Sequence, residues 1–430
     1  MIVCLVLISN NDSIILGEKQ GNKVIARRKL GFGYQKKAVY AANPAQSLGR
    51  IYEEKKSLTR SEFQRDRDRI IHTTAFRRLK DKTQVFFGRH RDHYRTRLLH
   101  TIEVSQIARS LARALRLDED LAEGIALAHD FGHPPFGHTG ENILQELLAF
   151  CGGFDHNIQS FRIVTELEKS YADFDGINLT WEVLEGLLGH NGPFLPQDSK
   201  VSKSIPKIFF DYQHKHGLNL SIFANLEAQV AAIADDIAYN AHDIDDSVRA
   251  GFLTFDMLEE ISFLKKQIIE LKDLYHNLDD TRLAHELVRR QITAMVEDVI
   301  TVSQNRIARL KPRSIHDIRS ASYRIVDFSD DMAIVDKEIK SMLFKYVYHH
   351  PRIMICRDQI TGIIRNLFSA YMSDSRKMRG YDNLGCEKDI TNAVKARKIG
   401  DYLAGMTDSY AIREHNILFG YIPDFAVDKF

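Results

Sequence analysis

Between His129 and Glu141 the run HDFGHPPFGHTGE gathers three imidazoles and two carboxylates, His129, Asp130, His133, His138 and Glu141, interrupted by Gly132, Pro134, Pro135 and Gly137. A single His-Asp pair carries little information, because most histidines are satisfied core or surface residues. Five such groups in one turn pinned by Gly and Pro define a site. Two imidazoles and a carboxylate at a rigid corner suit a divalent metal, and open positions in such a His/Asp site suit Mg²⁺, Mn²⁺ or Fe.

The flanking elements must position these groups. DEDLAEGIALA reads as a helix capped by Asp118, with Leu121, Ile125 and Ala128 on one face. Pro134 and Pro135 cannot continue it, so His129 and Asp130 project from its last turn. A second helix is expected from near Thr139, which makes His138 and Glu141 neighbours on its first turn. Upstream, LLHTIEVSQIARSLARALRL predicts an amphipathic helix with an apolar stripe of Leu99, Ile102, Ile107, Leu111 and Leu115. His100 lies beside that stripe and is a further candidate ligand. Downstream, NLEAQVAAIADDIAYNAHDIDD predicts an Ala-rich, closely packed helix on which Asp235, Tyr239 and Asp243 are spaced four apart along one face. Asp236 lies roughly 100° round from that line. An acidic residue on a buried helix is costly unless paired or ligating, which makes Asp235 the fourth ligand.

The remaining sequence sets the class. The 430 residues are 44% hydrophobic with only 9 Pro, enough for one large or two ordinary domains of mainly helical structure. A formal net charge of +1 gives no global field for nucleic acid or membrane. Cys4, Cys151, Cys356 and Cys386 show no CxxC spacing, which excludes a Cys-based zinc site and fits a reducing cytosol. The apolar start MIVCLVLISN is too short to span a membrane, and LVLISNNDSIILG reads as a small hairpin turning at Asn10–Asp12. From Arg60 to Arg97 twelve Lys/Arg stand against five Asp/Glu. Most of such a run is expected to be a solvated face, yet its position leading into the site offers counter-charges to a polyanion. His156 precedes a helix and faces its N-terminus, where an anion can bind. The stretch from Asp173 to Phe223, with Pro193, Pro196 and Pro206, reads as an irregular flap. Helices are expected from Gly251 onward, the last running from Ala393 to near His415, with polar breaks at Lys311-Pro312 and around Arg376 to Asp389.

The order H…HD…D resembles the HD-domain phosphohydrolases. QRDRDRIIHTTAFRRLKDKTQVF, RTRLLHTIEVSQIAR, GHTGE and ADDIAYNAHDIDD together resemble the deoxynucleoside triphosphate triphosphohydrolases, which include the bacterial deoxyguanosine triphosphatases. The resemblance runs from about Asn43 to His415. It implies an all-α fold with an HD core over 43–250 and a C-terminal helical region over 251–430 packed on that core; residues 1–42, outside the resemblance, read as an appendage with a small β-hairpin. It implies hydrolysis of dNTPs to deoxynucleoside and inorganic triphosphate by a cytoplasmic homo-oligomer. In some relatives a second dNTP activates. By position, His100, His129, Asp130 and Asp235 match the metal ligands, and His138 with Glu141 matches the catalytic pair. Gln84, Arg97, His133, His156, Tyr239 and Asp243 match substrate contacts, Gln84 reading the sugar and Tyr239 with Asp243 holding the 3′-hydroxyl. His156-Asn157-Ile158-Gln159 departs from the HNEQ or HNAQ found in relatives. The alternatives are an HD enzyme acting on another phosphoester, and a non-catalytic protein binding nucleotide or single-stranded nucleic acid through the basic run.

Overall fold

The computed structural model describes residues 36–86, 94–193, 221–379 and 391–422, with short strands near the N-terminus and isolated positions between 212 and 219. The fold is all-α. The strands form two separate antiparallel pairs, β1 (Leu7–Ser9) with β2 (Ser13–Ile15) and β3 (Lys19–Gln20) with β4 (Lys23–Val24). The first pair lies where the sequence places a hairpin; its turn falls outside the described residues.

The helical body opens with α1 (Glu62–Ile71) and α2 (Thr74–Arg78), capped by the Ser61 and Thr73 hydroxyls. Then come α3 (Arg97–Ala114), capped by Thr96, and α4 (Glu119–Ala128), capped by Asp118 as its spacing predicts. Next are α5 (Gly137–Leu147), α6 (His156–Arg162) and α7 (Trp181–Gly189), followed by the 24-residue α8 (Leu226–Arg249). The C-terminal part holds α9 (Phe255–Leu258), α10 (Ser262–Leu274), the 31-residue α11 (Asp280–Leu310), α12 (Ile315–Arg319) and α13 (Asp330–Leu343). It closes with α14 (Pro351–Ser373), α15 (Asn392–Ala404) and α16 (Asp408–Phe419). Among the described residues no helix is long and apolar enough to cross a membrane.

Three apolar clusters organise these helices. The largest joins α3 (Val104, Leu111), α4 (Leu121, Ile125) and α8 (Val230, Ile237), the alanines of α8 letting the backbones approach. A second seats Ile143 and Leu144 of α5 on α14 and α15, through Ile360, Ile364, Ile399 and Leu403. A third packs Ile244, at the far end of α8, with α10, α11 and α13. The C-terminal helices thus wall in both the catalytic-type corner and the lower part of α8.

Several expectations need correction. On α3, Leu99 and Ile102 are exposed, while His100, Val104, Ile107, Ala108 and Leu111 are buried. The helix is rotated so that its inward row begins with a histidine, which hid the true stripe from a hydrophobic reading. The stretch from Asp173 to Phe223 contains the buried helix α7; residues 194–211 of it lie outside the described set. The final helix is two, broken at Gly405–Thr407, where the Thr407 hydroxyl caps α16. The basic run is not mainly a solvated face: Arg65, Asp66, Lys82 and Arg97 are buried. Asp66 accepts from Thr180 N at 2.9 Å and pairs with Arg50, so the run is partly an internal network of counter-charges.

Candidate metal and phosphohydrolase site

The sequence brings His129 and Asp130 to the end of α4, and there His129 Nδ1 bonds the Ala126 carbonyl at 2.7 Å. That bond requires the proton on Nδ1, leaving Nε2 as a lone-pair donor atom. Nε2 is buried without a hydrogen-bond partner. It lies 3.3 Å from Asp130 Oδ1 and 3.6 Å from Asp235 Oδ1. His100, from the first turn of α3, places Nε2 2.9 Å from the same Asp235 oxygen. Ligand atoms of His100, His129 and Asp130 lie within 4.8 Å of one another, all three residues buried. Two imidazoles and two carboxylates from α3, the end of α4 and α8 thus converge. A buried imidazole nitrogen without a partner is costly unless something occupies it, so the donor set fits a divalent cation.

Charge balance explains how His129 and Asp130 stay buried, while Asp235 is partly exposed. Burial disfavours the charged form of His129, yet Asp130 and Asp235 outweigh it and raise its pKa to about 9, so a cation at Nε2 would take the place of a proton held by the same carboxylates. Burial likewise works against ionised Asp130, but His129, His133 and Arg97 hold its carboxyl far below the ordinary carboxylate range. Arg97 donates to Asp130 Oδ2 at 2.8 Å and is itself only 2% exposed.

His138 and Glu141 occupy the first turn of α5, with His138 Nδ1 3.0 Å from Glu141 Oε2. A carboxylate only accepts, so Nδ1 carries the proton and Nε2 is free to exchange one. The second carboxylate oxygen is also engaged. Glu141 Oε1 accepts from His156 Nδ1 at 2.7 Å and from the His156 amide at 2.9 Å. Burial would raise the Glu141 carboxyl, but the donors His138 and His156 hold it far below its usual value. The reciprocal effect raises the His156 imidazole, burial notwithstanding. Sequence spacing pairs Glu141 with His138; the second histidine, fifteen positions on, needs the Gly152-Gly153 turn to fold back.

His133 joins the two groups. Its Nδ1 lies 3.0 Å from Asp130, and its ring stacks on His156 at 4.0 Å between centroids. Burial, with Arg97 and His156 nearby, pushes its pKa well below the usual histidine value, so it is a neutral imidazole. Gly132 is required beside it, since a Cβ there would lie 2.0 Å from the His156 carbonyl. Gln84 sits beside the start of α5, its backbone carbonyl close to Gly137 and its side-chain oxygen buried without a partner.

The Asp235–Tyr239–Asp243 row holds on α8, and it meets a residue that spacing could not supply. Tyr348 donates to Asp243 Oδ2, and its ring lies 6.2 Å from that of Tyr239. It ends a π-helical turn, Phe344–Tyr348, after α13, a local widening common at functional positions. Asp236 points away and pairs with Lys340 at 2.8 Å. His190, at the end of α7, is a second residue the sequence reading missed. Burial, with His129 close by, lowers its pKa to about 4.

Two buried residues tie the corner to the C-terminal helices. Asp408 accepts from the Phe136 amide at 2.9 Å and from the Thr83 amide at 3.0 Å, and also from the Thr83 hydroxyl. Phe136 is left-handed (φ 66°) and immediately precedes α5. Lys82, fully buried, donates to the carbonyls of His133 and Ala404. The C-terminus therefore fixes the entry to the helix that carries His138.

With this geometry established, comparison with known proteins places the chain. An HD domain model matches residues 97–240 and a phosphohydrolase-associated domain model matches 326–417. A "deoxyguanosinetriphosphate triphosphohydrolase-like protein" of Rhizobium etli (strain CIAT 652) is 59% identical over 401 residues, covering 93% of this chain and 99% of that protein. The chain belongs to this family of HD-domain phosphohydrolases. Relatives of the same description in Agrobacterium fabrum and Rhizobium meliloti (strain 1021) are 57% and 56% identical, with the same coverage. The phosphohydrolase-associated match spans α14, α15 and α16, including Asp408 and its clasp on the corner.

Two predictions follow from this geometry. Asp408→Asn leaves one acceptor oxygen for donors that now use two. It should cost about 1–3 kcal/mol of stability and lower kcat with little change in KM, read by thermal unfolding and steady-state kinetics. Wild-type kcat in the folded variant would contradict a positioning role. Burial raises the Asp243 carboxyl to about 7, despite the Tyr348 hydrogen bond. Between its unfolded value of about 3.9 and that value the native state holds a proton the unfolded chain has lost. Its contribution therefore makes stability fall as pH rises through this window. Asp243→Asn should flatten that fall in Tm; an unchanged pH profile would contradict it.

Proposed function

We propose that this phosphohydrolase cleaves deoxynucleoside triphosphates, dGTP or dNTPs generally, to deoxynucleoside and inorganic triphosphate. One observation carries the reading. His133 joins the His100/His129/Asp130/Asp235 cluster to the His138–Glu141–His156 group, which sets a donor set suited to a cation beside an imidazole that can exchange a proton. The relatives' description as deoxyguanosinetriphosphate triphosphohydrolase-like proteins supports the choice of a triphosphate substrate.

In this reading His100, His129, Asp130 and Asp235 hold a divalent ion, Mg²⁺ or Mn²⁺ with Fe as the alternative. When bound, that ion supplies Lewis-acid polarisation of the phosphate. His138, held by Glu141 with Nε2 free, passes a proton to the leaving 5′-oxygen or takes one from the attacking water. His133 and His156 line the phosphate path, and Arg97 both steadies Asp130 and adds positive charge beside it. Gln84 reads the sugar. Tyr239 and Asp243 take the 3′-hydroxyl, with the Tyr348 hydroxyl completing that subsite. The Tyr239 ring excludes a 2′-hydroxyl by contact, which selects deoxyribose. The same reading takes the chain as a cytoplasmic homo-oligomer, with an appendage over 1–42, an HD core over 43–250 and a C-terminal region over 251–430.

His138→Ala tests the role assignment. His138 is more than half exposed and its removal leaves no buried group unpaired except one Glu141 oxygen, so the variant should fold. Turnover should fall about 10²- to 10⁴-fold, while dNTP binding measured by titration should change little. Turnover at the wild-type rate would overturn the assignment.

A further inference from the structure

Beside the first cation centre lies a second donor set that shares none of its four residues. Ligand atoms of His133, His138 and Glu141 lie within 4.8 Å of one another. His133 comes from the Gly/Pro turn, His138 and Glu141 from the first turn of α5. Two imidazoles and one carboxylate make a nitrogen-rich set. Such a set suits Zn²⁺ better than Mg²⁺, which prefers oxygen.

Three observations separate this set from a chance cluster. His133 is only 3% exposed, and with Nδ1 turned to Asp130 its Nε2 is left buried without a hydrogen-bond partner. A nitrogen lone pair in that position carries a desolvation cost that a bound ion removes. The rings are also set for one ion. Two imidazoles on a tetrahedral centre, with bonds of about 2.0–2.1 Å, place their centroids about 5 Å apart. Those of His133 and His138 are 5.2 Å apart, with planes at 76°. His156 is excluded from the set, because it stacks on His133 at 4.0 Å with planes at 27° and bonds the other carboxylate oxygen, Glu141 Oε1. Charge and access agree. Glu141 supplies the negative charge, the nearby Arg97 guanidinium is taken up by Asp130 at 2.8 Å, and His138 is more than half exposed, which opens the set to solvent.

We propose that His133, His138 and Glu141 form a second metal site, selective for a divalent ion of the zinc kind, and that an ion bound there inhibits the enzyme. The ion enters between His138 Nδ1 and Glu141 Oε2, which are 3.0 Å apart. The Nδ1 proton leaves to solvent and one is taken up at Nε2, so the imidazole stays neutral. With Nδ1 on the ion and Nε2 protonated, His138 has no lone pair left to accept a proton. The inhibition rests on the role proposed above for His138; the site itself does not.

Metal counting on the full chain tests the site. Mn²⁺-loaded protein is dialysed against Zn²⁺, and the sum of bound manganese and zinc per chain is measured by plasma mass spectrometry. That sum is unaffected if zinc displaces manganese from the first centre. His138→Ala and Glu141→Gln should each hold one ion fewer than wild type, while Asp235→Asn keeps zinc at the second site. Thermal unfolding checks that the variants fold. An equal sum in wild type, His138→Ala and Glu141→Gln would overturn the site, as would loss of all zinc in Asp235→Asn. Histidine-selective nitrogen NMR reads the inhibition: the His138 proton should move from Nδ1 to Nε2 when zinc binds. An unchanged tautomer with zinc bound would overturn that route. Neither readout uses turnover, so failure of the catalytic reading would leave both results standing.

Discussion

The buried carboxylate of Asp130 is the constraint on which the rest depends. Its Oδ2 receives Arg97, while Oδ1 faces both His129 and His133. A lone carboxylate at this depth would protonate; with the cations Arg97 and His129 and the neutral imidazole of His133 around it, it stays ionised. Each of those side chains comes from a different local device. Arg97 opens α3 behind the Thr96 cap, His129 ends α4, and His133 sits in the Gly/Pro turn. Moving the start of α3 or the end of α4 would leave an uncompensated charge, so electrostatics and helix packing enforce the same arrangement.

Much of this was legible because the corner is local in sequence. Asp118 caps α4, Pro134-Pro135 ends it, and three-residue spacing sets His138 against Glu141, all by short-range rules. The four-residue row on α8 was equally readable, since only helix geometry enters. Failure came where a functional residue sat in an apolar row. On α3 the buried row begins with His100, so the hydrophobic pattern placed Leu99 and Ile102 inward when both face solvent. The basic run misled because its buried groups meet partners far away in sequence: Lys82 donates to the His133 and Ala404 carbonyls, Arg97 to Asp130, and Asp66 accepts from Thr180. Tyr348, His190 and Asp408 carry no local signature at all. Tyr348 and Asp408 reach the site from more than 100 positions away from the groups they touch.

The C-terminal helices are therefore part of the site. Tyr348 shares Asp243, Asp408 holds the entry to α5, and Lys82 bridges the corner loop to the end of α15. A core carrying only the HD motif would lack the wall against which α5 packs, because Ile143 and Leu144 are buried by α14 and α15. This division of labour explains why the phosphohydrolase-associated match accompanies the HD match in one chain.

The central claim is that this arrangement breaks the bond between the α-phosphorus and the 5′-oxygen side of a dNTP, releasing the phosphate chain whole. Product analysis with each dNTP and Mg²⁺ or Mn²⁺, singly and mixed, tests it by resolving triphosphate from pyrophosphate and orthophosphate. Deoxynucleoside with intact inorganic triphosphate in equal amounts is the predicted result. Pyrophosphate or orthophosphate as the primary product would contradict it.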